Sequence, residues 1–190
     1  MPFSVFRRFA AGFAFAGLIA AAVPAQAEIE KFMRHCDGKL CPSFRAPITV
    51  PEGWAEHAEA SRELGAQMLV PKGVEFAAAP AKIYVLVRYN KDKLPVSAIT
   101  KDTYSDWKKR AKNAKVTKLP EVTPANGKPA FERHLFDAPK LEEQGFETTA
   151  LAADTDTDGN AFVVVICLSA NTREAYKASE AAYLSILKAY

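Results

Sequence analysis

Apolar and polar positions along this chain change period several times, and the changes mark out its elements. From residue 162 to 168 every side chain is apolar. A strand of that kind needs cover on both faces and belongs in the middle of a sheet rather than at its edge. Residues 82–89 read the same way, with Ile83, Val85, Val87 and Tyr89 on one face and Tyr84 and Leu86 on the other. Two doubly covered strands require two covering layers, and the chain offers two helical patterns. Between residues 100 and 114, Tyr104, Trp107, Ala111 and Ala114 recur at three- and four-residue spacing, while Lys101, Lys108, Lys109 and Lys112 fall mostly off that stripe. A terminal helix opens at Asn171, with Glu174 three positions on in a capping-box pattern. Ala175, Ala178, Ala182, Ile186 and Ala189 share one side of it and Tyr183, Leu187 and Tyr190 widen that side, the small alanines allowing close approach to a sheet.

Shorter strands are expected at residues 44–50, 66–70, 116–122, 128–136 and 146–153. They are separated by Pro51-Glu52-Gly53-Trp54, Pro71-Lys72-Gly73, the turn from Thr123 to Gly127 and a polar loop at residues 137–145. No internal repeat or low-complexity linker interrupts residues 44–190, so they read as a single α+β domain: an antiparallel sheet of about six strands flanked by helices on both faces.

Three stretches, ITVPEGW, KIYVLVRY before the basic helix, and FVVVICLS leading to the helix that ends AAYLSILKAY, resemble the PsbP/Mog-like family across residues 44–190. The resemblance implies an antiparallel sheet with helices on both faces. It also implies a non-enzymatic accessory or assembly protein that binds a partner, some members of the family binding metal ions. No family catalytic residue carries over. Two features depart from the family pattern, the head containing Cys36 and Cys41 and the DTDTDGN turn.

Residues 1–27 carry Arg7 and Arg8, a short apolar run from residue 9 to 23, and Ala25-Gln26-Ala27. A basic start, a brief apolar core and a small-x-small end form a secretory signal peptide with cleavage after Ala27. The run is too short for an anchor and no second long apolar segment follows, so no transmembrane segment is expected in the mature chain. The twin arginines are not extended into a motif for prefolded export. Both leave with the signal while every Asp and Glu stays, so the formal charge of +3 falls by those two and a nucleic-acid role gains nothing from the sequence pI of about 8.7. The expected location is the periplasm or the exterior, as a soluble protein.

In an oxidising compartment Cys36 and Cys41, with Gly38 between them, form a local disulfide that pins residues 28–43. By loop entropy such a small ring is worth roughly 2 kcal/mol. The third cysteine, Cys167, lies in the apolar strand and reads as a buried, inert thiol.

Three constellations could carry chemistry. Asp154, Asp156 and Asp158 with Gly159 form the first half of a calcium loop, but Phe162 and Val165 stand where its later ligands belong. The plainer reading is a hairpin tip turning through Asp158-Gly159. Glu142, Glu143 or Glu147 folded over the tip would supply what a weak calcium site lacks. Met33, His35, Cys36 and Cys41 are soft ligands suited to copper or zinc, provided that both thiols stay reduced. Trp107, Lys108, Lys109, Arg110 and Lys112 could meet an acidic partner or a membrane surface, against the plainer reading of a solvated basic face with Trp107 turned inward. No catalytic motif appears, and His57 and His134 stand alone in sequence. The expectation is an exported, non-catalytic accessory protein that binds a partner protein or a surface and needs no cofactor. The alternative is a metal-ion-binding module.

Overall fold

The computed structural model describes residues 28–36, 38–138, 141 and 145–190. The expected signal peptide, Glu142 and Glu143 lie outside them. In chain order the elements are β1 (Glu30–Cys36), β2 (Lys39–Arg45), β3 (Trp54–Glu56), α1 (Ala58–Leu64), β4 (Gln67–Pro71), β5 (Ala81–Tyr89), α2 (Val96–Arg110), β6 (Lys115–Val122), β7 (Phe131–Asp137), β8 (Phe146–Thr155), β9 (Ala161–Ala170) and α3 (Arg173–Ala189). Strands β3 to β9 form a seven-stranded antiparallel sheet in the order β3-β4-β5-β9-β8-β7-β6, and β1 and β2 form a separate two-stranded sheet. The fold is α+β, and the main sheet has one strand more than the apolar pattern suggested because the short β3 extends one edge.

The apolar strand lies at the centre of that order. β9 pairs with β5 from Ala81↔Ala170 to Tyr89↔Phe162 and with β8 from Phe146↔Ala170 to Thr155↔Ala161. Side chains alternate across a strand, so β9 feeds two cores at once. Val164, Ile166 and Leu168 pack with Ile83, Val85 and Ala150 beneath Tyr183, Ile186 and Leu187 of α3. On the opposite face, Val163, Val165 and Cys167 pack with Leu151, Tyr84 and Leu86 beneath Val96 and Ile99 of α2.

Both helices shift from their expected positions. α2 begins at Val96, just after Pro95, and ends at Arg110. The fixed φ of Pro95 suits a helix entry, which the stripe beginning at Tyr104 could not reveal. The cap of α3 is Thr172, not Asn171, and its side chain accepts from the Ala175 N–H at 3.1 Å. Its buried face is built on Tyr176, Ser179, Tyr183, Ile186 and Leu187, while Ala178 and Ala189 face outward. Aromatic rings therefore fill most of the space against the sheet, with Ala175 and Ala182 partly buried beside them.

Two elements escaped the pattern entirely. α1 is too short to show a helical period. It is capped by His57, whose Nδ1 accepts from the Ala60 N–H at 3.2 Å, and it ends at Gly65 in the left-handed region at φ 66°. The head of the chain is a hairpin rather than a pinned tail: β1 and β2 pair from Glu30↔Arg45 to Cys36↔Lys39, and the Cys36–Cys41 disulfide closes its outer end. The expected strand at 44–50 is thus replaced by β2, which stops at Arg45.

Ile166 is fully buried between both neighbouring strands. Replacing it with alanine leaves a cavity in a layer held on both sides, so Ile166→Ala is expected to lose about 2–5 kcal/mol. Leu94, at 49% exposure, is expected to lose under about 0.5 kcal/mol as Leu94→Ala. Urea denaturation of the two variants checks the contrast, and equal losses would contradict the placement of β9.

Candidate partner-binding surface

The hairpin is docked on the body near its base and lies beside α1 farther along. On one face Phe44 packs edge-on to Phe162 with ring centroids 4.9 Å apart, and the Lys31 ammonium reaches Asp156 at 2.7 Å and Asp158 at 2.8 Å. Farther out, the same face carries Met33 and Leu40, which are 57% and 61% exposed, and on the opposite face Phe32 is 42% exposed. Isolated apolar side chains on a surface are ordinary, but here Met33 and Leu40 lie diagonally across one face of a short disulfide-closed hairpin while Phe32 is exposed on the other. Between the hairpin and α1 lies a cleft of about 230 Å³, lined by Phe32, Arg34, Arg45, Glu56 and Arg62 among others.

The three carboxylates of the acidic turn do not converge. Asp154 is buried and turned toward the end of α3, where it accepts from Lys128 Nζ at 2.9 Å and from the Tyr190 hydroxyl at 2.6 Å. Asp156 accepts from the backbone N–H and the side-chain amide of Asn160 at 2.8 and 2.9 Å and is paired with Lys31; Asp158 is exposed and shares that lysine. The chain turns at Gly159, φ 79°, a conformation that favours glycine. Glu147 is not folded over this tip but buried beside α2, with Trp107 Nε1 donating to it at 3.3 Å. Among the described residues no group of three or more His, Cys, Asp or Glu is gathered where a metal ion could sit. Met33 and His35 share the outer face of the hairpin, and the sulfurs of Cys36 and Cys41 are joined to each other.

Trp107 leaves the basic face and enters the core. It is 3% exposed and stacks on Phe136 at 4.8 Å with an interplanar angle of 8°. Its inclusion with a surface-binding patch is therefore corrected: the ring belongs to the apolar stripe of α2, and its N–H finds a buried acceptor in Glu147. Lys108 donates to the Ala114 carbonyl at 2.8 Å, Lys109 pairs with Asp106 at 2.8 Å, and Arg110 lies over the Trp107 ring at 4.8 Å. Lys112 is exposed. Beside this helix a cleft of about 430 Å³ is lined by Arg88, Asp92, Asp102, Asp106 and Arg110, so its charges are mixed.

Sequence reading missed the polar layer under α2. Glu147, Thr149, Cys167 and His134 come from three adjacent strands and face the same side of the sheet. The Tyr104 hydroxyl donates to Nδ1 of His134, and with its proton on Nε2 that ring donates to Glu132 at 2.8 Å. Thr149 donates to Glu147 at 3.3 Å, and Cys167 donates to Thr149 at 3.5 Å. Burial raises the Glu147 carboxyl above its ordinary range, against the lowering effect of hydrogen bonds from Tyr84, Trp107 and Thr149. Burial likewise pushes the Cys167 thiol far up, which leaves it a poor nucleophile. The two-residue period within β7 and β8 was visible, but the register that sets His134 against Thr149 was not.

No protein-family model matches the chain, and no curated protein is significantly similar to it. Among solved structures there is a weak likeness. The chain resembles Ran-binding protein Mog1p of Saccharomyces cerevisiae. Identity is 16% over 84% of this chain and 93% of that one, with a TM-score of 0.46. A mutant of protein Mog1 is similar at 16% identity over 85% of this chain and 93% of that chain, with a TM-score of 0.47. Likeness of that order transfers neither residues nor partners.

Two pH dependences follow from the buried charges. Burial alone would raise the Asp156 carboxyl, but the hydrogen bonds from Lys31 and Asn160 outweigh it and hold the pKa at about 2. That is below the ordinary value of about 3.9, so the anion stabilises the fold at neutral pH, and its contribution disappears as pH falls from about 4 to about 2. Asp156→Asn is expected to melt lower than the native protein at pH 7, with the gap closing across that window. A gap that stays constant down to pH 2 would rule out the pairing. Glu147 has the opposite sign, since a raised carboxyl is least favourable when ionised. Glu147→Gln is expected to raise the melting temperature at pH 7 and to lose that gain toward pH 4; calorimetric melts at the two pH values decide it, and a lower melting temperature at pH 7 counts against it.

Proposed function

We propose that this protein is an exported, non-catalytic accessory protein that binds a partner protein through its stapled hairpin. The observation that carries this reading is the exposure of Phe32, Met33 and Leu40, at 42%, 57% and 61%, on an element closed by the Cys36–Cys41 disulfide at one end and docked through Lys31 and Phe44 at the other. A rigid hairpin has already lost most of the conformational entropy that a flexible tail would lose on binding, so the apolar area it buries contributes more fully to affinity. Binding energy concentrates in a few well-packed, desolvated side chains at the centre of such a contact.

A non-catalytic role is supported by how the reactive side chains are engaged. His57 caps α1, His134 lies between Tyr104 and Glu132, and Cys167 is buried. None of these three lines the clefts beside the hairpin or beside α2. Export is supported by the basic, apolar and small-residue sequence of residues 1–27 and suits a chain with a disulfide. No helix among the described residues is long and apolar enough to cross a membrane.

Quantitative cross-linking of the native protein in its own cells tests this reading. Phe32→Ser/Met33→Ser/Leu40→Ser is expected to lose the cross-linked partner by about tenfold or more. Its melting temperature should stay within a few degrees of the native value, because all three side chains are already exposed. Undiminished cross-linking by the triple variant would sink the proposal.

A further inference from the structure

The face of the hairpin turned toward α1 carries positive charge that the fold leaves unneutralised. Phe32 and Arg34 stand two residues apart on β1 and so project to one side, and Arg45 lies on that same side because it pairs opposite Glu30. These three line the cleft of about 230 Å³ together with Arg62 of α1. The carboxylate that lines it is Glu56, which is paired with Arg45. Arg34 and Arg62 have no ion-pair partner among the described residues, so the cleft holds two uncompensated guanidiniums.

Arg34 is also held in place. It is half-buried, and its guanidinium lies over Gly65, where an added Cβ would come within 2.9 Å of it. Gly65 thus serves two needs: a left-handed residue ending α1 at φ 66° and a bare backbone on which the guanidinium can rest. A planar guanidinium fixed before binding presents its donors in a geometry matched to a carboxylate and has less freedom left to lose. Phe32 lines the same cleft and is 42% exposed, which adds an apolar contact beside the charge.

We infer that this cleft takes an acidic segment of the partner protein, seating carboxylates on Arg34 and Arg62 with an apolar side chain against Phe32. The inference rests on the hairpin being the partner-binding element and names the chemistry of what it binds. Charge complementarity selects the occupant, and Met33 and Leu40 on the opposite hairpin face favour a protein over a small anion, because only a larger chain can engage both faces.

The test uses the full disulfide-bonded chain and a blocked hexapeptide alternating glutamate with leucine, followed by the shifts of the Phe32 amide and the arginine side-chain N–H signals in nitrogen-proton correlation spectra. The acidic peptide is expected to move Phe32, Arg34 and Arg62, and its binding should weaken as salt rises. Replacing its glutamates by glutamine, or the protein's arginines as Arg34→Gln/Arg62→Gln, is expected to weaken binding about tenfold or more. Equal binding of the acidic and neutral peptides, or no shift at millimolar peptide, overturns the inference. Sedimentation with anionic phospholipid vesicles that is lost in the double arginine variant, without any peptide shift, assigns the cleft to a membrane surface and overturns it as well. If the apolar hairpin variant loses the native partner while the double arginine variant keeps it, the partner-binding reading stands and this inference alone falls.

Discussion

The rest of the structure depends on one strand being apolar on both sides. β9 contributes Val164, Ile166 and Leu168 to one core and Val163, Val165 and Cys167 to the other, and a strand so composed is stable only when water is excluded from both faces at once. That requirement places β5 and β8 as its hydrogen-bonding neighbours and demands a helix above and a helix below. It also explains the order of the sheet. The short and polar strands, β3 and β6, lie at the edges, where Lys115, Lys118 and Pro120 make β6 a poor template for further pairing.

The two covers differ in chemistry. α3 lies over a mainly apolar layer filled by Tyr183, Ile186 and Leu187, into which Arg133 and the hydrogen-bonded hydroxyls of Thr148 and Tyr176 also reach. α2 covers a layer in which Trp107 and Phe136 are accompanied by Glu147, Thr149, His134 and Cys167. Polar groups buried in this way are tolerable because each meets a partner: the indole N–H on Glu147, the threonine hydroxyl on the same carboxylate, the imidazole between a phenol and a glutamate. A network satisfied from within has little left to offer a ligand, whereas the hairpin beside the sheet leaves Phe32, Met33 and Leu40 exposed.

Charge decides how that hairpin is set. Lys31 lies 127 residues from Asp158 in sequence, yet its ammonium joins Asp158 and Asp156, and Phe44 adds an aromatic contact to Phe162. The turn that read as half of an ion loop supplies counter-charges to Lys31 on one side and Lys128 on the other. The hairpin is thereby oriented so that Arg34 meets Gly65 at the end of α1 while Met33 and Leu40 remain in solvent.

What the sequence determined by itself was set by short-range pattern. Seven successive apolar residues identify a central strand, a change of period identifies α2 and α3, and two close cysteines around a glycine identify a local disulfide, because each signal depends on neighbours a few positions apart. Even there the limits were local: a short helix such as α1 has no room to show a period, and Thr172 and Asn171 are both good caps whose choice depends on where the sheet releases the chain. Tertiary structure alone decided which distant groups meet. Register brought His134 opposite Thr149, packing turned Trp107 inward onto Glu147, and docking of the hairpin gave Asp156 its lysine. The physical reason is that the pattern of a segment specifies which face is buried but not what lies against it, and the chemistry of a site is decided by what lies against it.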